Sequence, residues 1–269
     1  MLKQRIITAL VLLPIVLGAI FWLPNVGFAL AMAIPLLIGA DEWANMMGIT
    51  DQPQRIPFIA LVATLLAVVF LLDQRWILVV AFAWWLLSFY LVKSFPDKTS
   101  LWESKPRMVV MGLLILVPAW LGLVVLQGQK HGSWMVLYSM LLVWGADTGA
   151  YFAGKRWGTT KMAPRVSPGK SIAGLIGGLV TTAIIALLVA IYTPAADSVG
   201  LVVFLLISML AVFASVEGDL VESMVKRHRG IKDSGNLLPG HGGILDRIDS
   251  VTAAVPVFVG GLYLAGGLA

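Results

Sequence analysis

The chain has 269 residues, of which 59% are hydrophobic and only 12% charged, and its mean hydropathy is +0.92. Soluble domains run about 45–50% apolar and about 25% charged, so this composition cannot cover a water-facing surface and excludes both a soluble enzyme and a disordered chain. There is no cysteine, which excludes disulfides, thiolate metal sites and a cysteine nucleophile, and the net charge of +5 suits basic loops at an anionic membrane face.

An all-α, polytopic integral membrane protein is therefore expected. Lys3 and Arg5 precede an apolar run from Ile6 to Leu23. That run is long, and no clear small-x-small cleavage site follows it, so it reads as a retained first span. Further apolar segments lie at about 26–44, 57–72, 76–92, 108–126, 134–153, 171–192, 199–221 and 245–268. Pro14, Pro35, Pro118 and Pro256 fall inside segments, where neighbouring helices can re-satisfy the freed carbonyls. Nine transmembrane helices with a cytoplasmic N-terminus and an outside C-terminus place seventeen of the nineteen Lys and Arg inside, leaving only Arg75 and Lys130 outside. The expected organisation is an N-terminal region of about five spans, 1–130, and a C-terminal catalytic region, 131–269. The second region has two basic, Gly- and Pro-rich cytoplasmic loops, at 154–170 and 226–244. Loops of that length are usually functional or disordered.

Acids are costly in hydrocarbon, about 2.5–3.5 kcal/mol each on insertion scales, yet several lie near or within spans. Asp41 and Glu42 are as readily helix-end residues in the headgroup region as functional ones. Asp147 has apolar residues on both sides and is expected in a buried polar cavity. Asp219, Glu222, Ser223 and Lys226 recur at i, i+3, i+4 and i+7, which puts them on one helix face. Glu222 and Lys226 can also be an ordinary i+4 pair. Arg227, Arg229, Lys232 and Asp233 follow. In the next stretch, Gly242 and Gly243 would let the backbone approach a ligand, and Asp246 and Asp249 lie three apart. Hard oxygen ligands without cysteine favour Mg²⁺ or Mn²⁺ over zinc. Carboxylates, a divalent ion and Lys/Arg clamps together are what transfer at a phosphate requires.

Gly169-Lys170-Ser171 resembles the end of a Walker A loop, but position 164 is Pro where that motif needs Gly, and no strand is expected before it. A Gly-Lys turn opening a helix can still bind an anion. Gly174 and Gly178 form a small-xxx-small pair suited to helix packing. His131 reads as a loop residue, His228 as part of the basic surface, and His241 as the one histidine in a ligand-binding setting.

The 27-residue run from Ser223 to Asp249 contains Lys226-Arg227, Lys232-Asp233, Gly235, Leu238-Pro239, His241-Gly242-Gly243-Ile244 and Asp246-Arg247-Ile248-Asp249. It resembles the signature of the phosphatidate cytidylyltransferases, or CDP-diacylglycerol synthases. The block from Asp147 to Gly154 and Ser167-Pro168-Gly169-Lys170 are also similar to that family. There the loop often continues with Thr, an aromatic and Glu-Gly or Gln-Gly, whereas this chain reads Ser171-Ile172-Ala173-Gly174.

The resemblance implies transfer of CMP from CTP to phosphatidic acid, with Mg²⁺, a possible second cation K⁺, a homodimer and a bacterial cytoplasmic (inner) membrane. It makes Asp219, Asp246 and Asp249 the expected metal ligands. With Ser223, Lys226 and Arg227 they form the expected catalytic set. Asp147, Ser167, Lys170, Lys232, Asp233, His241, Gly242, Gly243 and Arg247 are expected at the substrates. CDP-alcohol phosphotransferases are a rival reading, but their Asp-Gly-x2-Ala-Arg pattern is absent. Polyprenol or other lipid kinases are a second enzyme rival. A transporter would spread its acids through the bilayer, whereas here they gather toward the basic loops.

Overall fold

The computed structural model describes residues 2–72, 75–238 and 240–268, without the side chains of residues 2–7 and 9. The side chains of Lys3 and Arg5, and Pro239 of the signature run, lie outside the described residues. Among the described residues nine α-helices follow one another. They are α1 (Leu2–Trp22), α2 (Asn25–Met46), α3 (Ile56–Leu71), α4 (Trp76–Lys93) and α5 (Lys105–Gln127), then α6 (Gly132–Trp157), α7 (Ile172–Tyr192), α8 (Leu201–Arg229) and α9 (Leu245–Leu264). Each falls on one of the expected apolar segments.

Seven of these helices are long and apolar enough to cross a membrane: α2, α3 with the short 3₁₀ turn before it, α4, α5, α7, α8 and α9. α1 offers a shorter apolar stretch, Leu10–Trp22, and α6 carries Asp147, Lys155 and Arg156. The chain is a multi-pass helical membrane protein.

Two boundaries correct the sequence reading. α8 continues through Arg229, so Lys226 and Arg227 stand in a helix and the second basic loop begins only at Gly230. Basic residues complement the partial negative charge at a helix C-terminus, and Gly230, at φ +75°, ends the helix there. The first basic loop is partly ordered as sheet. α6 runs on to Trp157, and β1 (Lys161–Ala163) pairs antiparallel with β2 (Ser167–Ser171), Lys161 opposite Ser171 and Ala163 opposite Ser167. A strand, β1, thus precedes Gly169-Lys170-Ser171 where none was expected, and the motif itself lies in β2. Ser171 then caps α7, its hydroxyl accepting from Gly174 N at 3.1 Å.

α5 is the most enclosed span, with 78% of its apolar window buried. It packs against α2, α3 and α9. α6 pairs closely with α7, α8 with α9, and α7 with α8. The α6–α7 contact depends on small residues. A Cβ on Gly174 would lie 3.1 Å from Ala150 O, and one on Gly178 3.0 Å from Ala146 O. At Gly149 it would lie 2.6 Å from Gly177 O, a backbone atom that cannot swing aside.

Gly149→Val is therefore expected to force α6 from α7 and cost about 1–3 kcal/mol, the usual range for overpacking. Thermal unfolding in detergent checks this. Gly169→Ala, which adds a methyl group in open space, should leave the midpoint unchanged.

Candidate active site

The end of α8 carries the densest chemistry. Asp219, Glu222, Ser223 and Lys226 share one face, as their spacing predicts. That face meets the start of α9, where a Cβ on Gly218 would lie 2.9 Å from Ala253 Cβ and would overlap Asp249 O. Asp219 and Asp249 are therefore level with each other. Lys226 Nζ bonds Glu222 Oε1 at 2.9 Å and Asp246 Oδ1 at 2.5 Å, with all three side chains under 10% exposed. Ser223 donates to Asp219 Oδ1 at 3.1 Å.

From the other basic loop, β2 brings Lys170 Nζ to 2.8 Å from Asp219 Oδ2 and 3.1 Å from Val216 O. The first of the two loops singled out by sequence is thus tied by an ion pair to the acidic face of α8. Asp147 of α6 lies within range of the charges of both Lys170 and Asp219. It is, however, exposed, which corrects the expectation of an enclosed cavity.

Asp246 is held on both oxygens. Oδ2 accepts from Gly243 N at 2.8 Å, Ser234 N at 2.9 Å and Ser234 Oγ at 3.0 Å, while Oδ1 faces Lys226. Glu42 of α2 lies behind it, buried. Its carboxylate accepts from Ile244 N at 2.9 Å, Leu245 N at 2.8 Å and Ser234 Oγ at 2.9 Å. The space above Gly243 is filled by Glu42 and by the Ser234 hydroxyl. This glycine gives room to protein groups. Glu42 carried no motif signal; its only clue was an acid at the end of an apolar span. Its neighbour Asp41 is a helix-end residue, paired with Arg55 at 3.0 Å.

The remaining predicted residues frame this centre. Arg227 is exposed, and its guanidinium reaches Val166 O at 3.3 Å and Ile231 O at 3.4 Å. Lys232 and Asp233 are exposed on the loop. Arg247 donates to His241 O at 2.8 and 3.1 Å. His241 Nδ1 is buried without a hydrogen-bond partner. Gly242, at φ +86°, lets the turn close, Leu238 N reaching Gly242 O at 2.9 Å. Ser167 sits at the far end of β2 from Lys170, and its side chain makes no hydrogen bond among the described residues. A groove of about 560 Å³ runs between α6 and α7 past Phe152, Trp157 and Ile176, on the side of α6 away from Asp147.

The donors suit a hard cation in part. Asp147, Asp219, Glu222, Asp246 and Asp249 gather around only two ammonium groups, Lys170 and Lys226. That excess of carboxylate oxygen favours a divalent ion over further lysine. Yet no three acidic or histidine side chains among the described residues converge as a ready ligand set. Asp249 lies within range of the Asp219 charge and accepts from Ser250 N on Oδ1 at 2.7 Å, whereas Asp246 is engaged by Lys226 and the turn.

Comparison with known proteins identifies the family. The model of the cytidylyltransferase family matches residues 3–264. A phosphatidate cytidylyltransferase of Pseudomonas aeruginosa is 51% identical over 268 residues, covering 99% of this chain and 98% of that protein. Proteins of the same name from Haemophilus influenzae and Brucella suis are 39% and 35% identical. They cover 96% and 99% of this chain, and 97% and 94% of their own lengths. With the match running through all nine helices and both basic loops, the chain belongs to the cytidylyltransferase family and is a membrane-embedded nucleotidyltransferase.

Proposed function

We propose that this protein transfers CMP from CTP to phosphatidic acid, forming CDP-diacylglycerol and pyrophosphate at the cytoplasmic face of a bacterial inner membrane. The observation that carries the reading is the Lys170–Asp219 pair, which joins the hairpin to the acidic face of α8. The names of the full-length relatives supply the substrates. Seventeen of nineteen Lys and Arg fall on one side of a nine-span arrangement, which supports the cytoplasmic face, the N-terminus inside and the C-terminus outside.

In this reading an oxygen of the lipid phosphate attacks the α-phosphorus of CTP, the bond to the bridging β-phosphate oxygen breaks, and pyrophosphate leaves. No protein nucleophile is required, because the lipid phosphate is already anionic. Lys170, Arg227 and Lys232 neutralise phosphate oxygens from the two loops. Ser223 orients Asp219, and Arg247 with His241 shapes the nucleotide side of the turn. Asp147 borders the same space from α6. Asp233 stands beside Lys232 at the mouth. Lys226 sets Asp246 and Glu222 in place. Asp219 and Asp249 would hold Mg²⁺, and Asp246 would join them once Lys226 releases Oδ1. Bound there, the ion neutralises charge on the transferring phosphoryl group. A second cation such as K⁺ and a homodimer belong to the same proposal.

Detergent-purified protein given CTP, phosphatidic acid and Mg²⁺ should release pyrophosphate, with none when either substrate or the ion is withheld. CMP should be recovered on the lipid. Release of CDP instead would identify a lipid kinase and overturn the reading. Asp219→Asn should lower turnover at least about 100-fold, as loss of a group stabilising the transition state does. Equal activity in this variant would remove Asp219 from the site. Lys226→Met leaves two buried carboxylates without their cation, at a cost of about 3–5 kcal/mol. Adding Glu222→Gln should recover part of that stability without restoring turnover, as unfolding and activity measured on the same samples would show.

A further inference from the structure

Glu42 belongs to the first half of the chain, outside the signature run, and is buried. A carboxylate in a helical bundle is costly unless donors meet it, and these donors are specific. Two are the backbone N–H groups that open α9, Ile244 N at 2.9 Å and Leu245 N at 2.8 Å. Such groups have no partner within their own helix. The third is the Ser234 hydroxyl at 2.9 Å, which is also 3.0 Å from Asp246 Oδ2. Glu42 therefore grips both ends of the loop between α8 and α9. A side chain on Gly235 or Gly243 would collide with its carboxylate.

We propose that Glu42 is a positioning residue of the transferase site. From α2 it fixes the signature turn so that Asp246 meets Lys226 and Arg247 faces the substrate space. It acts through Ser234 and the start of α9 and does not touch the reacting atoms. The inference rests on the transferase reading for its kinetic consequence, but the contact itself is independent of that reading.

The test compares Glu42→Ala, Glu42→Gln and Ser234→Ala in the full chain, with turnover expressed per folded molecule after size-exclusion chromatography. Loss of a group that orients a ligand set from behind costs about 10–100-fold, and that loss is expected in kcat for Glu42→Ala with the KM for CTP nearly unchanged. Gln keeps one acceptor oxygen, enough for one of the two helix N–H groups, and should recover part of the activity. Ser234→Ala should lower kcat in the same direction, and the double variant should be no worse than Glu42→Ala within about threefold, because the two act as one unit.

A folded Glu42→Ala protein with unchanged kcat, or losses that multiply in the double variant, would overturn the proposal. If Glu42→Ala does not fold, Glu42→Gln and Ser234→Ala decide. Stability shifts without any fall in kcat for Ser234→Ala would make the contact merely structural. Hydrogen exchange at Ile244 and Leu245 supplies a readout without substrate. Protection present in the parent and lost in Ser234→Ala or Glu42→Ala supports the grip, and unchanged protection in both refutes it. A parent protein with that protection but no cytidylyl transfer would count against the transferase reading alone.

Discussion

Carboxylates placed inside a helical bundle require donors, and that requirement organises the second half of this molecule. Lys226 lies between Glu222 and Asp246. Asp246 in turn takes the N–H groups of Ser234 and Gly243, and Ser234 reaches on to Glu42. The chain of contacts crosses α8, the signature turn, α9 and α2. Each acid supplies the next donor's partner, so a buried polar network of this kind is stable only when complete. The geometry around Asp219 and Asp249 is built on that frame.

A second layer of order comes from small residues. Where α6 meets α7, Ala and Gly bring the two backbones together, which lipid-solvated helices achieve by van der Waals packing rather than by hydrophobic drive. The close pair holds the start of α7, and Ser171 with it. β2 ends at that same serine, so Lys170 is delivered to Asp219 from a rigid base. A polar strand hairpin at the edge of a helical bundle thus has a positional role that its length alone does not suggest.

The helices were legible because apolar runs of span length leave few alternatives, and the shared face of Asp219, Glu222, Ser223 and Lys226 was legible because helical spacing is local. Three features were not. The hairpin at 161–171 is too short and too rich in Pro and Gly to show strand alternation. Asp246 looked like one half of a carboxylate pair with Asp249. In the first turn of α9, however, its side chain bends back to backbone N–H groups, as acids at helix N-termini do. Glu42 was hidden for a different reason: its partners lie about two hundred residues away, and no local pattern announces a contact of that range.

That separation also sets an order of events. Glu42 meets Leu245 N across 203 residues, and the helix that Leu245 opens is the last in the described chain. At synthesis rates of about 5–20 residues per second, roughly 10–40 seconds pass between the appearance of the carboxylate and the arrival of the groups that satisfy it. Through that interval α2 carries an acid without its final donors. The network therefore closes last of all, when α9 docks beside α2, α5 and α8.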